Sequence, residues 1–76
     1  MTYSVVLYFD RSTGKFSVTA RKTLGARLNE VDQQQAAVSR ILVLSGVPEA
    51  VAKNQKNITQ STLAGMGFKR VPRAQL

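Results

Sequence analysis

Most of the ionisable side chains in this 76-residue chain are cationic. Eleven are Lys or Arg, four are Asp or Glu, and His and Cys are absent. The chain therefore offers no imidazole base, thiol nucleophile, disulfide or Cys/His zinc site. A formal net charge of +7 instead predicts a polyanionic partner: nucleic acid, the acidic face of a protein or an anionic membrane.

The four carboxylates do not form an acid–base pair. Glu30 and Asp32 are two residues apart in a predicted helix, so they do not share a face, and Asp10 lies at a predicted turn. The stretch 13–17 is similar to a phosphate-binding loop, but it lacks the first Gly of that motif and joins two predicted strands. We therefore predict a protein that is not an enzyme and that has no metal site and no cofactor.

The basic residues concentrate in the first and last thirds of the chain. Residues 1–27 hold five basic side chains and one acidic one, 28–52 hold one and three, and 53–76 hold five and none. Such clusters neutralise phosphates and gain free energy from counterion release. The predicted nucleic-acid-binding residues are Arg21, Lys22, Lys69 and Arg70, expected to merge into one patch, with Lys15, Lys53, Lys56 and Arg73 in support. The alternative is that these basic side chains are scattered over the surface, form no binding patch and are solvated.

Tyr8 is the aromatic residue predicted to bind nucleic acid. It alternates with Phe9, so it points to the sheet face that carries Thr19 and Arg21. An exposed aromatic beside Arg suits stacking on a base of a single strand. The alternative, favoured by the apolar residues on both faces, is that a helix covers this face and Tyr8 lies in the core.

The N-terminal elements are predicted to form an antiparallel hairpin. Residues 2–10 and 15–21 alternate apolar and polar side chains, and the loop 11–14 ends in a Gly. A four-residue loop places all the apolar partners on one face, whereas a three-residue loop scrambles both faces. The predicted partners are Asp10 with Lys15, Phe9 with Phe16, Leu7 with Val18 and Val5 with Ala20.

Helical elements are predicted for most of the remaining chain. Residues 23–29 form a connector containing Gly25, and Asn29 caps a long helix over 30–44. Its last turn, 41–44, is apolar on all sides, which predicts burial against a second copy of the chain. Two short helices over 48–53 and 57–64 follow, then a third strand over 68–71 and a flexible tail over 73–76.

The stretch 51–63 also resembles a helix-turn-helix. Thr59, Gln60 and Ser61 occupy the start of the second helix, from which side chains reach bases or phosphates. Lys56 stands in the turn where Gly is usual, and two short helices packed on the sheet are the alternative.

Together these features predict one α+β domain over residues 1–76. It has an N-terminal antiparallel β-hairpin, then one long and two short helices. A third strand is expected near the C-terminus. We expect a small basic accessory or regulatory protein that binds DNA or RNA, forms a homodimer and is cytoplasmic, with no membrane partner. The alternative is a small protein-binding module or inhibitor, virus- or plasmid-encoded, that docks on an acidic face of a larger protein.

Overall fold

The structure, a computed structural model, describes residues 1–23 and 38–76. These residues form an α+β fold in which a mixed sheet of four strands carries one helix. The elements are β1 (Tyr3–Asp10), β2 (Lys15–Lys22), β3 (Val38–Val47), α1 (Glu49–Gly65), β4 (Lys69–Arg70) and a 3₁₀ helix (Arg73–Gln75). The strand order is β3-β1-β2-β4; β1 is antiparallel to both neighbours and β4 is parallel to β2.

The predicted hairpin is confirmed together with its register. Asp10 pairs with Lys15 and Phe9 with Phe16, and the same register continues to Tyr3 and Lys22. The four-residue loop closes through the N–H of Gly14, which donates to the Asp10 carbonyl oxygen at 2.9 Å. Gly14 has φ +75°, a conformation that costs a residue with a side chain about 1–2 kcal/mol, so a Gly suits the end of this loop.

The carboxylate of Asp10 organises the same loop. Its Oδ1 accepts hydrogen bonds from the Ser12 backbone N–H at 2.9 Å and from the Ser12 hydroxyl at 2.6 Å. These bonds, the side-chain bond first, lower the pKa of Asp10 below its ordinary value of 3.8. The ionised form of Asp10 therefore stabilises the folded loop.

Asp10→Asn is expected to remove a pH-dependent part of the stability. Because the pKa of Asp10 is lower in the folded chain, its contribution is present above the unfolded pKa and is lost as the pH falls through the folded value. The stability advantage of the wild type over the variant should be constant near neutral pH and shrink below about pH 4. Urea denaturation of both proteins across an acid pH series measures it. An advantage that does not change with pH contradicts the prediction.

The core lies between the sheet and α1. Val5, Phe16 and Val18 on the hairpin are buried against Ala52 of α1, with Leu63 packed beside them. At the hairpin-turn end, Phe9 and Phe68 meet edge to face with their ring centroids 5.0 Å apart. This packing holds the start of β4 next to the start of β2.

The opposite face of the sheet, which we call the Tyr8 face, is also buried at its centre. Val6 and Tyr8 are buried there, and Ser4 is buried with its hydroxyl satisfied. The Ser4 Oγ lies 2.6 Å from Thr23 Oγ1 and 3.0 Å from Ser45 Oγ, linking β1 to its surroundings on both sides. Buried hydroxyls of this kind need such partners, because an unpaired one costs about 1–3 kcal/mol.

The prediction of a long helix over 30–44 is wrong for the residues of that range that the structure describes. Residues 38–44 belong to strand β3, while 30–37, Asn29 and Gly25 lie outside the described residues. A run of consecutive apolar residues such as 41–44 fits a buried helix and a strand equally well, and here Val and Ile favour the strand. In β3, Val43 and Leu44 pack towards the core while Ile41 and Leu42 are half exposed.

The two predicted short helices are one continuous helix, α1. The polar stretch 54–57 does not interrupt it, since Gln and Lys are good helix formers and the stretch lies mostly at the surface. Pro48 precedes the helix as its N-cap, and Asn57 lies in the helix interior. With no turn between residues 49 and 65, the helix-turn-helix interpretation is also wrong.

The C-terminal strand is present, shorter than predicted. Phe68 precedes Lys69 and Arg70 of β4, and the Val71 N–H donates to the Phe16 carbonyl oxygen at 2.9 Å. After Pro72, the residues predicted as a flexible tail form the 3₁₀ helix Arg73–Gln75.

Within 1–23 and 38–76, no helix has the length and apolar character needed to cross a membrane.

Candidate nucleic-acid interface

The pairing of β4 with β2 brings two lysines side by side. Lys15 and Lys69 are register partners, and parallel strands lie about 4.8 Å apart. The pairing is held by the Lys69 N–H, which donates to the Gly14 carbonyl oxygen at 3.0 Å. Because partners on adjacent strands point to the same face, both ammonium groups lie on one side of the sheet.

Arg73 lies on that same side. Tyr8 is the β1 partner of Ser17, two residues along β2 from Lys15, so Lys15 and Tyr8 share a face. The Cζ of Arg73 lies 4.2 Å from the centroid of the Tyr8 ring. A cation this close to an aromatic face is stabilised by about 0.5–2 kcal/mol, and the contact fixes the position of the guanidinium group.

Arg40 completes the group, although it is not among the residues predicted from the sequence. It is the β3 partner of Tyr8, which places it on the Tyr8 face. In the predicted long helix residue 40 has no relation to the hairpin; the three Val and one Ile of 38–47 are the signal that favours a strand. We call Lys15, Arg40, Lys69 and Arg73 the basic cluster.

Asp10 is the β1 partner of Lys15 and lies on the same face as the two lysines, but its carboxylate is engaged by Ser12 and forms no ion pair with either of them. Of the acidic residues that the structure describes, Asp10 accepts hydrogen bonds from Ser12, and Glu49 forms an ion pair with Lys53 at 3.4 Å. Lys15 and Lys69 make no ion pair with either carboxylate. Like charges directly opposite each other on neighbouring strands cost about 0.2–1 kcal/mol, and a bound anion would relieve that repulsion.

The register divides the predicted patch of Arg21, Lys22, Lys69 and Arg70 into two groups. Arg70 is the partner of Phe16, at the start of β2, whereas Arg21 and Lys22 end that strand. Arg21 is five steps along the strand from Phe16, which is about 17 Å. Arg70 lies on the sheet edge beside the basic cluster; Arg21 and Lys22 are exposed at the other end of the molecule.

The remaining predicted residues lie elsewhere. Lys53 and Lys56 are on α1, which covers the opposite face of the sheet, and Lys53 is paired with Glu49. Tyr8 is 6% exposed and lies under Arg73, so its ring is closed to a base in this structure. Tyr8 is therefore buried, as the alternative interpretation expects, although the described helix α1 packs on the opposite face and does not cover it.

The described residues contain no group of three or more His, Cys, Asp or Glu side chains placed to hold a metal ion. Comparisons of the chain with protein-family models, curated proteins and solved structures find no match.

Proposed function

We propose that this protein is a non-catalytic, nucleic-acid-binding accessory or regulatory protein that contacts phosphates through the basic cluster. The observation that supports it most is the pairing of Lys15 with Lys69, two cations on one face without a described carboxylate between them. A phosphate bound there accepts from both ammonium groups and removes their mutual repulsion.

The rest of the basic cluster extends this contact. The two arginines of the basic cluster lie on the same face as the two lysines. Arg73 contacts the Tyr8 ring, and Arg40 is the strand partner of Tyr8. Several phosphates of one strand can therefore be contacted at once. Arg70, the partner of Phe16, points to the opposite face of the sheet and is not part of this contact. Phosphate contacts position a protein on nucleic acid without reading its sequence, so we expect little sequence preference.

The test is a titration of fluorescently labelled DNA and RNA oligonucleotides, single-stranded and double-stranded, followed by anisotropy at several salt concentrations. Three or four phosphate contacts on duplex DNA predict a slope of log affinity against log salt of about −3 to −4. An affinity that does not change with salt, or no binding to any of the four oligonucleotides at low salt, would overturn the proposal.

A pull-down with the immobilised protein separates nucleic acid from an acidic protein partner. Partners that are captured from lysate through nucleic acid are lost after nuclease digestion. An acidic protein that is retained after digestion, without oligonucleotide binding, would support the alternative of a protein-binding module and contradict this proposal.

A further inference from the structure

All the aromatic residues of the chain, two Tyr and three Phe, lie within the described ranges, and each packs inside the protein. Phe16 and Tyr8 are buried. The other three are half-buried and pack against the core: Tyr3, Phe9 and Phe68. Proteins that bind single strands usually stack the bases on exposed aromatic side chains. In this chain the rings that could stack on a base are already engaged in protein contacts.

The centre of the Tyr8 face is closed as well. The residues that lie along it are at most 6% exposed: Ser4, Val6, Tyr8 and Ser17. At the basic cluster, by contrast, Lys69 is exposed and the other three cations are half-buried. Among the described residues of this face, nucleic acid therefore meets cations that contact phosphates rather than a surface on which a base can lie.

Contact through phosphates alone favours a double strand over a single one. A duplex stacks its bases inside and carries one negative charge for about every 1.7 Å of its axis, counting both strands. Each phosphate contacted on a duplex contributes about −0.9 to the slope of log affinity against log salt, whereas each one on a single strand contributes about −0.7. The same cations therefore release more counterions from a duplex, and a single strand matches that gain only by stacking its bases on the protein.

We propose that the basic cluster binds double-stranded nucleic acid in preference to a single strand, with the backbone contacted from outside and the base pairs intact. This preference rests on the proposed function, of which it specifies the substrate class. In this complex Lys15 and Lys69 contact neighbouring phosphates, and Arg73, positioned by the Tyr8 ring, contacts a further one. DNA and RNA duplexes share this chemistry, so each is one arm of the test.

Anisotropy titrations of the wild type compare each duplex with a single strand that carries the same number of phosphates. The probes are a DNA duplex and an RNA duplex of mixed sequence, with oligothymidylate and oligouridylate as the matched single strands. With three or four phosphate contacts, a duplex is expected to bind about fivefold more tightly than its single strand at about 0.1 M salt. Its slope of log affinity against log salt should also be the steeper one.

An oligothymidylate in which several thymines are replaced by abasic sites tests whether bases contribute to binding. This probe keeps every phosphate, so the wild type is expected to bind it with an affinity within about twofold of that for the intact strand. Each stacked base that is removed would instead lower the affinity by about fivefold or more.

The outcomes separate the preference for a duplex from the proposed function. Single strands that bind as tightly as the duplexes or more tightly, or a loss of about fivefold or more with abasic sites, would overturn the preference and leave phosphate binding in place. Binding to none of the probes at low salt, or binding that does not change with salt, would overturn the proposed function itself. Tighter binding of either duplex, with a small effect of abasic sites, supports the proposal.

Discussion

Replacing Lys15 and Lys69 together by Gln is expected to weaken nucleic-acid binding by about ten- to a hundredfold at physiological salt. The two side chains are register partners on one face, so their removal takes away two adjacent phosphate contacts. The slope of log affinity against log salt should become shallower by about two, roughly one for each lysine. Anisotropy titrations at several salt concentrations measure both quantities.

A second double variant on the same sheet provides the control. Arg21→Gln with Lys22→Gln removes the same charge from the far end of β2, and its affinity and salt slope should change much less. The double variant removes the Lys15–Lys69 repulsion and also the attraction of Lys15 to its partner Asp10, so the free energy of unfolding should change by less than about 1 kcal/mol, which thermal unfolding checks. Equal losses of affinity in the two double variants would contradict a binding site at the basic cluster.

Phe16→Ala is expected to have the largest effect on stability. Phe16 is 0% exposed and lies in the core between β2 and α1. Such truncations cost about 3–5 kcal/mol through lost burial and the cavity that remains. A chain of 76 residues has a total stability of about 4–11 kcal/mol, so the variant should lose a large part of it. Urea denaturation followed by circular dichroism measures the loss.

An exposed apolar residue serves as the comparison for this variant. Ile58 on α1 is about half exposed, and Ala is the better helix former, so Ile58→Ala should change the free energy of unfolding by less than about 1 kcal/mol. If Phe16→Ala cost no more than Ile58→Ala, the packing of α1 over β2 in the structure would be wrong.

The hairpin could be predicted from the sequence because its determinants are local. Alternation with period two assigns Phe9 and Phe16 to one face, and a four-residue loop ending in Gly14 sets the register that the structure has. Strand β3 and helix α1 could not be predicted in the same way. The run 41–44 is compatible with either element. The polar stretch 54–57 is also compatible with the end of a helix, but packing against the sheet maintains the helix through it.

The candidate site was predictable only in part, since its members come from distant parts of the chain. Lys15, Lys69 and Arg73 were identified from charge, but Arg40 becomes their neighbour only because residues 38–47 form a strand beside β1. Arg21 was expected to join them, and the register of β4 places it at the other end of β2.

What the sequence determined by itself is the chemistry that is possible and the geometry that is local. The absence of His and Cys excludes imidazole, thiol and disulfide chemistry, the net charge of +7 is the basis of the proposed phosphate contact, and the alternation of residues 2–21 determines the hairpin. The tertiary structure decided which cations lie side by side. Lys69 reaches Lys15 because Phe68 packs on Phe9 and Val71 is buried beside β2. Burial of these distant residues sets the pairing of β4, and a local pattern carries no information on such pairing.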